Sequence, residues 1–364
     1  MEKETISTSQ GFSILSLFIM GSTLIMGTAP EAKRDSWIAV IIATIAAIPL
    51  LLSYAAISRA FPEKDMFDIL EILFGKIFGK IISALYVWYF FHLGSLVMRN
   101  FGEFMNTLAM PETPMFVPMI CIGILCIWVS RAGIEVLGRC TKILLLTCGI
   151  VVIIIQCLAI PYLDIHNIKP ILGQGLKPVI NGAFSSLSFP FAESIAFLGV
   201  ASCLGKNSSS RKIYIRSLLF SAFFITIIAL RNTMVLSSNI IEIIYFPAYS
   251  AVGRINIGDS IQRMEGTVAI IFATGVFVKV SICLLASSKG VSKILGLKSY
   301  RSVVIQIGLL MSYLAYFIYD STMDMEYWAF SIYRYYAFPF QIIFPIIIFI
   351  IIEVKRKKHK LSTN

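Results

Sequence analysis

Residues 183–200 read AFSSLSFPFAESIAFLGV, an apolar run long enough to cross a bilayer that places Pro190 and the ionisable Glu193 at its middle. Proline removes a backbone donor and favours a fresh helix start just before it. The stretch therefore predicts a transmembrane helix broken around Ser188 and Phe189, with a half-helix N-terminus directed into the membrane centre. Counted from the start of the surrounding span near residue 178, Glu193 lies roughly 22 Å deep at about 1.5 Å per residue. A charge at the bilayer centre costs about 2.5 to 3.5 kcal/mol on insertion scales, so Glu193 needs a reason to be there. It either belongs to a ligand site at the positive end of a half-helix, or braces the break by accepting hydrogen bonds.

The rest of the chain is written for the same solvent. Of 364 residues, 57% are hydrophobic and 14% charged, and mean hydropathy is +0.83. Soluble domains run near 45 to 50% and about 25%, so a water-soluble globule is excluded. Ten spans are expected, at roughly 11–29, 36–57, 80–108, 114–130, 140–161, 178–202, 213–237, 263–288, 301–319 and 329–353. The first lacks the basic n-region and cleavage site of a signal peptide, with acidic Glu2 and Glu4 ahead of it, and is read as a true helix. An even count puts both termini on one side, and the basic tail Lys355, Arg356, Lys357, Lys358 and Lys360 marks that side as cytoplasmic. The loops agree. Arg131, Arg139 and Lys142 fall on one cytoplasmic loop and Lys289, Lys293, Lys298 and Arg301 on another, while the outer segments hold only Lys33, Arg34, Lys169, Lys177, Arg254 and Arg263. The net charge of +11 thus reads as sidedness, and no nucleic-acid partner is expected. Seven cysteines without a CxxC pair and three scattered histidines point to no disulfide framework, metal site or cofactor, and no catalytic constellation appears.

Two long connections suggest a repeat. Residues 66–78 alternate Met66, Phe67, Ile69, Leu70 and Phe78 with Asp68, Glu71 and Lys76, as an interfacial amphipathic helix would. The segment Asn239 to Gln262, with Pro247, Arg254 and Asp259, is its counterpart five spans later and on the opposite side. This is the pattern of two inverted five-helix repeats, about 11–161 and 178–353, within one membrane domain of residues 1–364 that ends in a cytoplasmic tail, 354–364. The first helix of each repeat should be discontinuous. In the first span, 11–29, Gly21, Ser22, Thr23 and Gly27 supply small residues that let backbone unwind, or else merely let helices pack closely.

Other intramembrane charges carry two readings each. Lys279, deep in the eighth span, either occupies a cation position facing the first helix, or snorkels or pairs with a carbonyl. Arg99 and Glu103, four apart on the third span, read as a structural ion pair. Arg231 and Arg334 read as interface anchors, and the rows Tyr86, Trp88, Tyr89, Phe90, Phe91 and Tyr333, Tyr335, Tyr336 as belt or packing residues. Gly75 and Gly79 form a GxxxG packing signal.

Taken in order, Ile6 to Gln10 before a first span with Gly21 and Gly27, VMRNFGE at 97–103, PILGQGLKP at 170–178, FPFAE at 189–193 and GVFVKVS at 275–281 resemble one family along nearly the whole chain. It is that of the B subunits of GerA-type nutrient germinant receptors of endospore-forming bacteria, spore germination permeases of the amino acid, polyamine and organocation transporter superfamily. One departure is Ala192, where many relatives carry glycine before the glutamate. The resemblance implies an all-α membrane protein of LeuT-like fold in the cell membrane and spore inner membrane. Beside an A subunit and a lipoprotein C subunit, it would sense an amino acid, sugar or nucleoside. The expected ligand groups are the backbone at Gly21, Ser22 and Thr23, then Tyr89, Leu93, Ser188, Phe189, Glu193 and Ser281, with a zwitterionic amino acid the best fit. The rivals are a permease coupled to protons through Glu193 or Lys279, and a scaffold or ion-release component with a vestigial pocket.

Overall fold

The computed structural model describes residues 4–205, 207–241, 244–255 and 264–361. Lys206, Asp259, Gln262 and Arg263 lie outside them, as do the side chains of Lys357, Lys358 and Lys360 in the tail. The described chain is helical: α1 Thr8–Met20, α2 Thr23–Met26, α3 Ser36–Ala60, α4 Met66–Phe104, α5 Phe116–Ala132, α6 Ile134–Ala159 and α7 Leu176–Ser186 form the first part. After a 3-10 helix, Ala192–Cys203, come α8 Ser210–Leu236, α9 Ser238–Ile241, α10 Pro247–Val252, α11 Glu265–Leu295, α12 Val304–Phe317, α13 Thr322–Tyr327, α14 Tyr333–Phe338 and α15 Phe344–Leu361. Among the described residues, eight helical stretches are long and apolar enough to cross a membrane: Thr8–Met26, Pro30–Ala60, Met66–Ala109, Ile134–Tyr162, Leu176–Cys203, Ser210–Leu236, Glu265–Leu295 and Thr322–Arg356. The expected spans 114–130 and 301–319 fall on the shorter α5 and α12, of 17 and 14 residues. At about 1.5 Å per residue these reach about 26 and 21 Å, less than the ~30 Å hydrocarbon core.

Helix starts follow local chemistry. Ser7 and Gln10 form a capping box at α1, as do Asp65 and Asp68 at α4, each pair satisfying two backbone donors that the first turn leaves open. Burial, and then the neighbouring Asp68, push the Asp65 carboxyl above its usual range. The amphipathic segment at 66–78 is the first limb of α4. Gly75 adopts φ 79°, open to glycine but rarely adopted by residues with a side chain, and turns the chain; at Gly79 a Cβ would lie 2.7 Å from the Glu71 backbone. The Gly75/Gly79 signal is therefore an elbow within one chain segment rather than a helix-packing motif.

The bundle buries its polar groups and turns apolar ones outward. Ile77, Trp128, Ile143 and Ile270 are each at least 65% exposed, an apolar girdle that lipid, not water, covers. Inside, α11 packs along α4 and α5, α1 along α8 and α6, and α3 along α7 and α8. The N-terminal segment is tied down where Ile6 pairs with the backbone at Cys203 and Gly205 and Glu4 accepts from Tyr300 and Arg301. Burial and then the Glu4 carboxylate push the Tyr300 phenol up.

Candidate functional site

The centre of the bundle is built from two places where backbone leaves the α-helical path. Gly21, between α1 and α2, has φ 4° and ψ −112°. Facing it, a Cβ at Gly275 of α11 would lie 2.7 Å from Gly21 Cα, so only glycine lets the two backbones come this close. On the other side, α7 runs into a π turn, Leu187–Phe191, in which Phe189 is extended (φ −123°, ψ 108°). The 3-10 helix Ala192–Cys203 continues from there. The carbonyl of Phe189 accepts from Thr28 Oγ1 at 2.9 Å, and the Thr28 hydroxyl also lies 2.9 Å from Ser186 Oγ.

Glu193 begins the far side of this turn and is 1% exposed. Its Oε2 takes the ammonium of Lys279, and its Oε1 accepts from the Tyr333 hydroxyl at 2.6 Å. Around them runs a closed set of neutral partners. Tyr333 OH lies 3.1 Å from Tyr89 OH; the Gln341 amide donates to Tyr89 OH at 2.9 Å and to the Ser188 carbonyl at 3.0 Å, and accepts from Ser188 Oγ at 2.9 Å. Tyr333 and Gln341 come from a last span that contains two π turns, Trp328–Ile332 and Pro339–Ile343; the extra residue in each changes which side chains face inward.

Lys279 is fully buried, so it neither snorkels nor rests on a carbonyl alone. Its Nζ lies 4.9 Å from the Phe189 ring and 5.4 Å from the Phe18 ring, within cation–π range of both. Its stem runs past the bend, with Cδ 3.2 Å from where a Cβ on Gly21 would stand. The centre therefore holds one negative and one positive charge that cancel. Removing either would strand the other in a low-dielectric interior, at a cost of about 3 to 5 kcal/mol.

Next to the pair is a cavity of about 30 Å³, lined among others by Leu93, Asn100, Phe189, Glu193, Trp328 and Tyr333. That is room for about one or two waters. Met26 lines this cavity and also a wider one of about 200 Å³, which Thr28, Lys33, Asn232, Tyr245 and Glu326 help to form.

The expected site residues divide accordingly. Gly21, Tyr89, Leu93, Ser188, Phe189, Glu193 and Lys279 meet at the centre. Thr23 turns back to bond the Ile19 carbonyl at 3.4 Å. Ser22 is buried, and its hydroxyl finds no partner among the described residues. Ser281 lies two residues beyond Lys279, roughly 200° around the helix, and its carbonyl faces Ser130 on α5. Arg99 and Glu103 form a buried pair at 2.7 Å whose further partners are Tyr316 and Thr322 rather than the Glu193 group, although Arg99 lies 5.9 Å from the ring of Tyr319, which lines the cavity. Arg231 and Arg334 are not interface anchors: Arg231 is buried and bonds Asn232 at 2.6 Å, and Arg334 bonds Glu31 at 2.6 Å. Tyr86 and Tyr89 are buried rather than part of a belt. Tyr333 was read only as a belt or packing residue, and Gln341, Thr28 and Phe18 were not singled out by the sequence. For Gln341 a signal existed, an amide inside an otherwise apolar run.

Known proteins agree with this architecture. The chain is 27% identical to Spore germination protein KB of Bacillus subtilis (strain 168), covering 100% of this chain and 98% of that protein. It is 26% identical to Spore germination protein A2 of the same organism, covering 97% and 96%. Among solved structures it superposes on MhsT in complex with L-phenylalanine with TM-score 0.66 and 14% identity, covering 92% of this chain and 87% of that one. On Mhp1, a nucleobase-cation-symport-1 family transporter, the TM-score is 0.63 at 9% identity, covering 89% and 76%. The fold is thus of the LeuT type, and the chain is a multi-pass membrane protein. The spore permease family model, described as Spore germination protein, matches residues 5–325, and the chain belongs to the spore germination permease family, that of the germinant receptor B subunits.

Proposed function

We propose that this chain is the membrane subunit of a spore germinant receptor, binding a small nutrient, foremost an amino acid, between the α1/α2 bend, α4, the 187–203 turn and α11. The observation that carries this reading is the buried Glu193 carboxylate, held at a backbone interruption by Lys279 and Tyr333 and opening on a cavity. In this reading the bends at Gly21 and Phe189 are the matched breaks of two inverted repeats, about 11–161 and 178–353. The short helices α5 and α12 complete ten spans, and both termini face the cytoplasm. The ligand arrives through the wider cavity and passes Met26, and the centre closes on it. The closed form signals to the A and C subunits in the spore inner membrane.

A proton-coupled amino acid permease is the second reading, favoured by the buried carboxylate together with the fold shared with MhsT and Mhp1. Radiolabelled amino acid uptake by the full-length chain in liposomes, run beside germination of spores carrying all receptor subunits, separates the two. Germination without uptake is expected. Uptake by the chain alone at a rate matching the response would favour the permease, and germination unaffected by loss of the chain would remove the receptor reading.

A further inference from the structure

The central pair poses a problem of charge for any ligand that enters. Glu193 and Lys279 are each other's ionic partners, and both are buried. The place an incoming ammonium would take, against a carboxylate and over two aromatic faces, is already filled by the protein's own ammonium, 4.9 Å from Phe189 and 5.4 Å from Phe18. Glu193 and Phe189 also line the cavity beside it, so that place borders the cavity. At about 30 Å³ the cavity alone is too small for an amino acid, so a ligand of that size would need Lys279 to withdraw from Glu193.

Withdrawal has a strict requirement. Lys279 lies on α11 and Glu193 on the segment after Phe189, and separating them leaves two unpaired charges in a dry interior. A ligand bearing only an ammonium satisfies Glu193 and strands Lys279. A ligand bearing only a carboxylate does the reverse, and a neutral polyol satisfies neither. A zwitterion satisfies both. Its ammonium takes Glu193 and the two rings, and its carboxylate takes Lys279, whose stem is flexible and runs past the small residue Gly21. We infer that the ligand inserts itself into the Glu193–Lys279 ion pair, and that this exchange of partners selects α-amino acids over amines, acids and sugars. The inference rests on the nutrient-binding reading above and gives a physical reason for the zwitterion that reading favours. It also gives a mechanical output, because insertion lengthens the link between α11 and the 192–203 segment.

The test measures binding to the full-length chain in lipid nanodiscs by thermal shift and titration. The probes are each of the twenty amino acids, glucose and inosine, followed by the methyl ester and the des-amino acid of whichever amino acid binds most tightly. The unmodified chain is expected to prefer the amino acid over both analogues by 100-fold or more. Lys279→Met removes the charge that an ester would strand, so its preference should reverse towards the ester. Glu193→Gln should reverse it towards the des-amino acid. Purely structural roles would weaken all three probes together. The double variant Glu193→Gln/Lys279→Met carries no stranded charge, and should fold and lose the preference for the zwitterion. If a single variant does not fold, the analogue series on the unmodified chain still decides. An ester binding as tightly as its amino acid, or a Lys279→Met chain with unchanged preference, overturns insertion. Binding of glucose or inosine without any amino acid overturns insertion but leaves the nutrient-binding reading standing. Binding of no probe at all removes both.

Discussion

Among the described residues of this membrane domain, two ion pairs are buried, and they differ in almost every respect except burial. Arg99 and Glu103 are one turn apart on α4. Arg99 also donates to the carbonyl of Tyr316 at 2.5 Å in the last turn of α12, and Glu103 accepts from Thr322 at 2.8 Å. Arg99 therefore pairs locally, then closes the open C-terminus of a neighbouring helix. Glu193 and Lys279 are 86 residues apart, belong to different elements, meet at two backbone interruptions and border a cavity. A pair within one helix holds that helix whatever its neighbours do. A pair between elements holds only while the elements keep their distance, and so is suited to report movement.

The comparison is broken most directly by Glu193→Gln, which keeps size and removes charge. In spores, the half-maximal germinant concentration should rise about 100-fold, equivalent to about 3 kcal/mol; Lys279 loses its counter-charge, but the glutamine oxygen can still accept from it, so membrane abundance measured by immunoblot should fall less than for a variant that leaves no acceptor. An unchanged dose curve at equal abundance would sink the site. Arg99→Met should behave in the opposite way. It strands Glu103 and uncovers the end of α12, so abundance should fall several-fold, with the half-maximal concentration of the surviving receptor unchanged. A shifted half-maximum at normal abundance would move that pair into the ligand machinery.

Tyr333→Phe sharpens the contrast. It removes the donor to Glu193 Oε1 but leaves Lys279 in place, so a loss of about tenfold is expected, near the lower limit for a hydrogen bond to a charged group. Dose curves of Tyr333→Phe and Glu193→Gln/Tyr333→Phe spores measure the coupling. Independent, additive effects would argue against one connected network.

The sequence exposed what depends on local pattern and concealed what depends on assembly. Pro190 and Glu193 were legible because proline and carboxylate are anomalous in an apolar run, and Gly21 because small residues cluster around it. The mate of Lys279 was not, since only the packing of α11 beside the 3-10 segment brings it to Glu193. Tyr333 sits in an aromatic row that looks the same whether it faces lipid or core. The π turns that change its facing have no simple sequence period. Arg334 looked like an anchor because its partner, Glu31, lies three hundred residues earlier.

The smallest expected effect tests whether the bend at Gly21 belongs to the site or only to packing. Gly21→Ala places a methyl 3.2 Å from Lys279 Cδ and 3.0 Å from the Phe18 carbonyl. The lysine stem can yield by a few tenths of an ångström, so the protein should remain abundant. The displaced stem, however, disturbs the ammonium that a ligand must meet. A penalty of about 1 kcal/mol, hence about a fivefold rise in half-maximal concentration, is expected, with a change in ranking among amino acids of different side-chain size. Gly275→Ala is the control, since its methyl meets the Gly21 backbone at 2.7 Å and backbone has nowhere to go; α1 and α11 must part, and abundance should fall. Both variants are read by membrane abundance and dose curves for several amino acids in the same spores. If Gly21→Ala merely copies Gly275→Ala, losing protein while keeping half-maximum and ranking, then the bend is a packing contact and the site ends at Lys279.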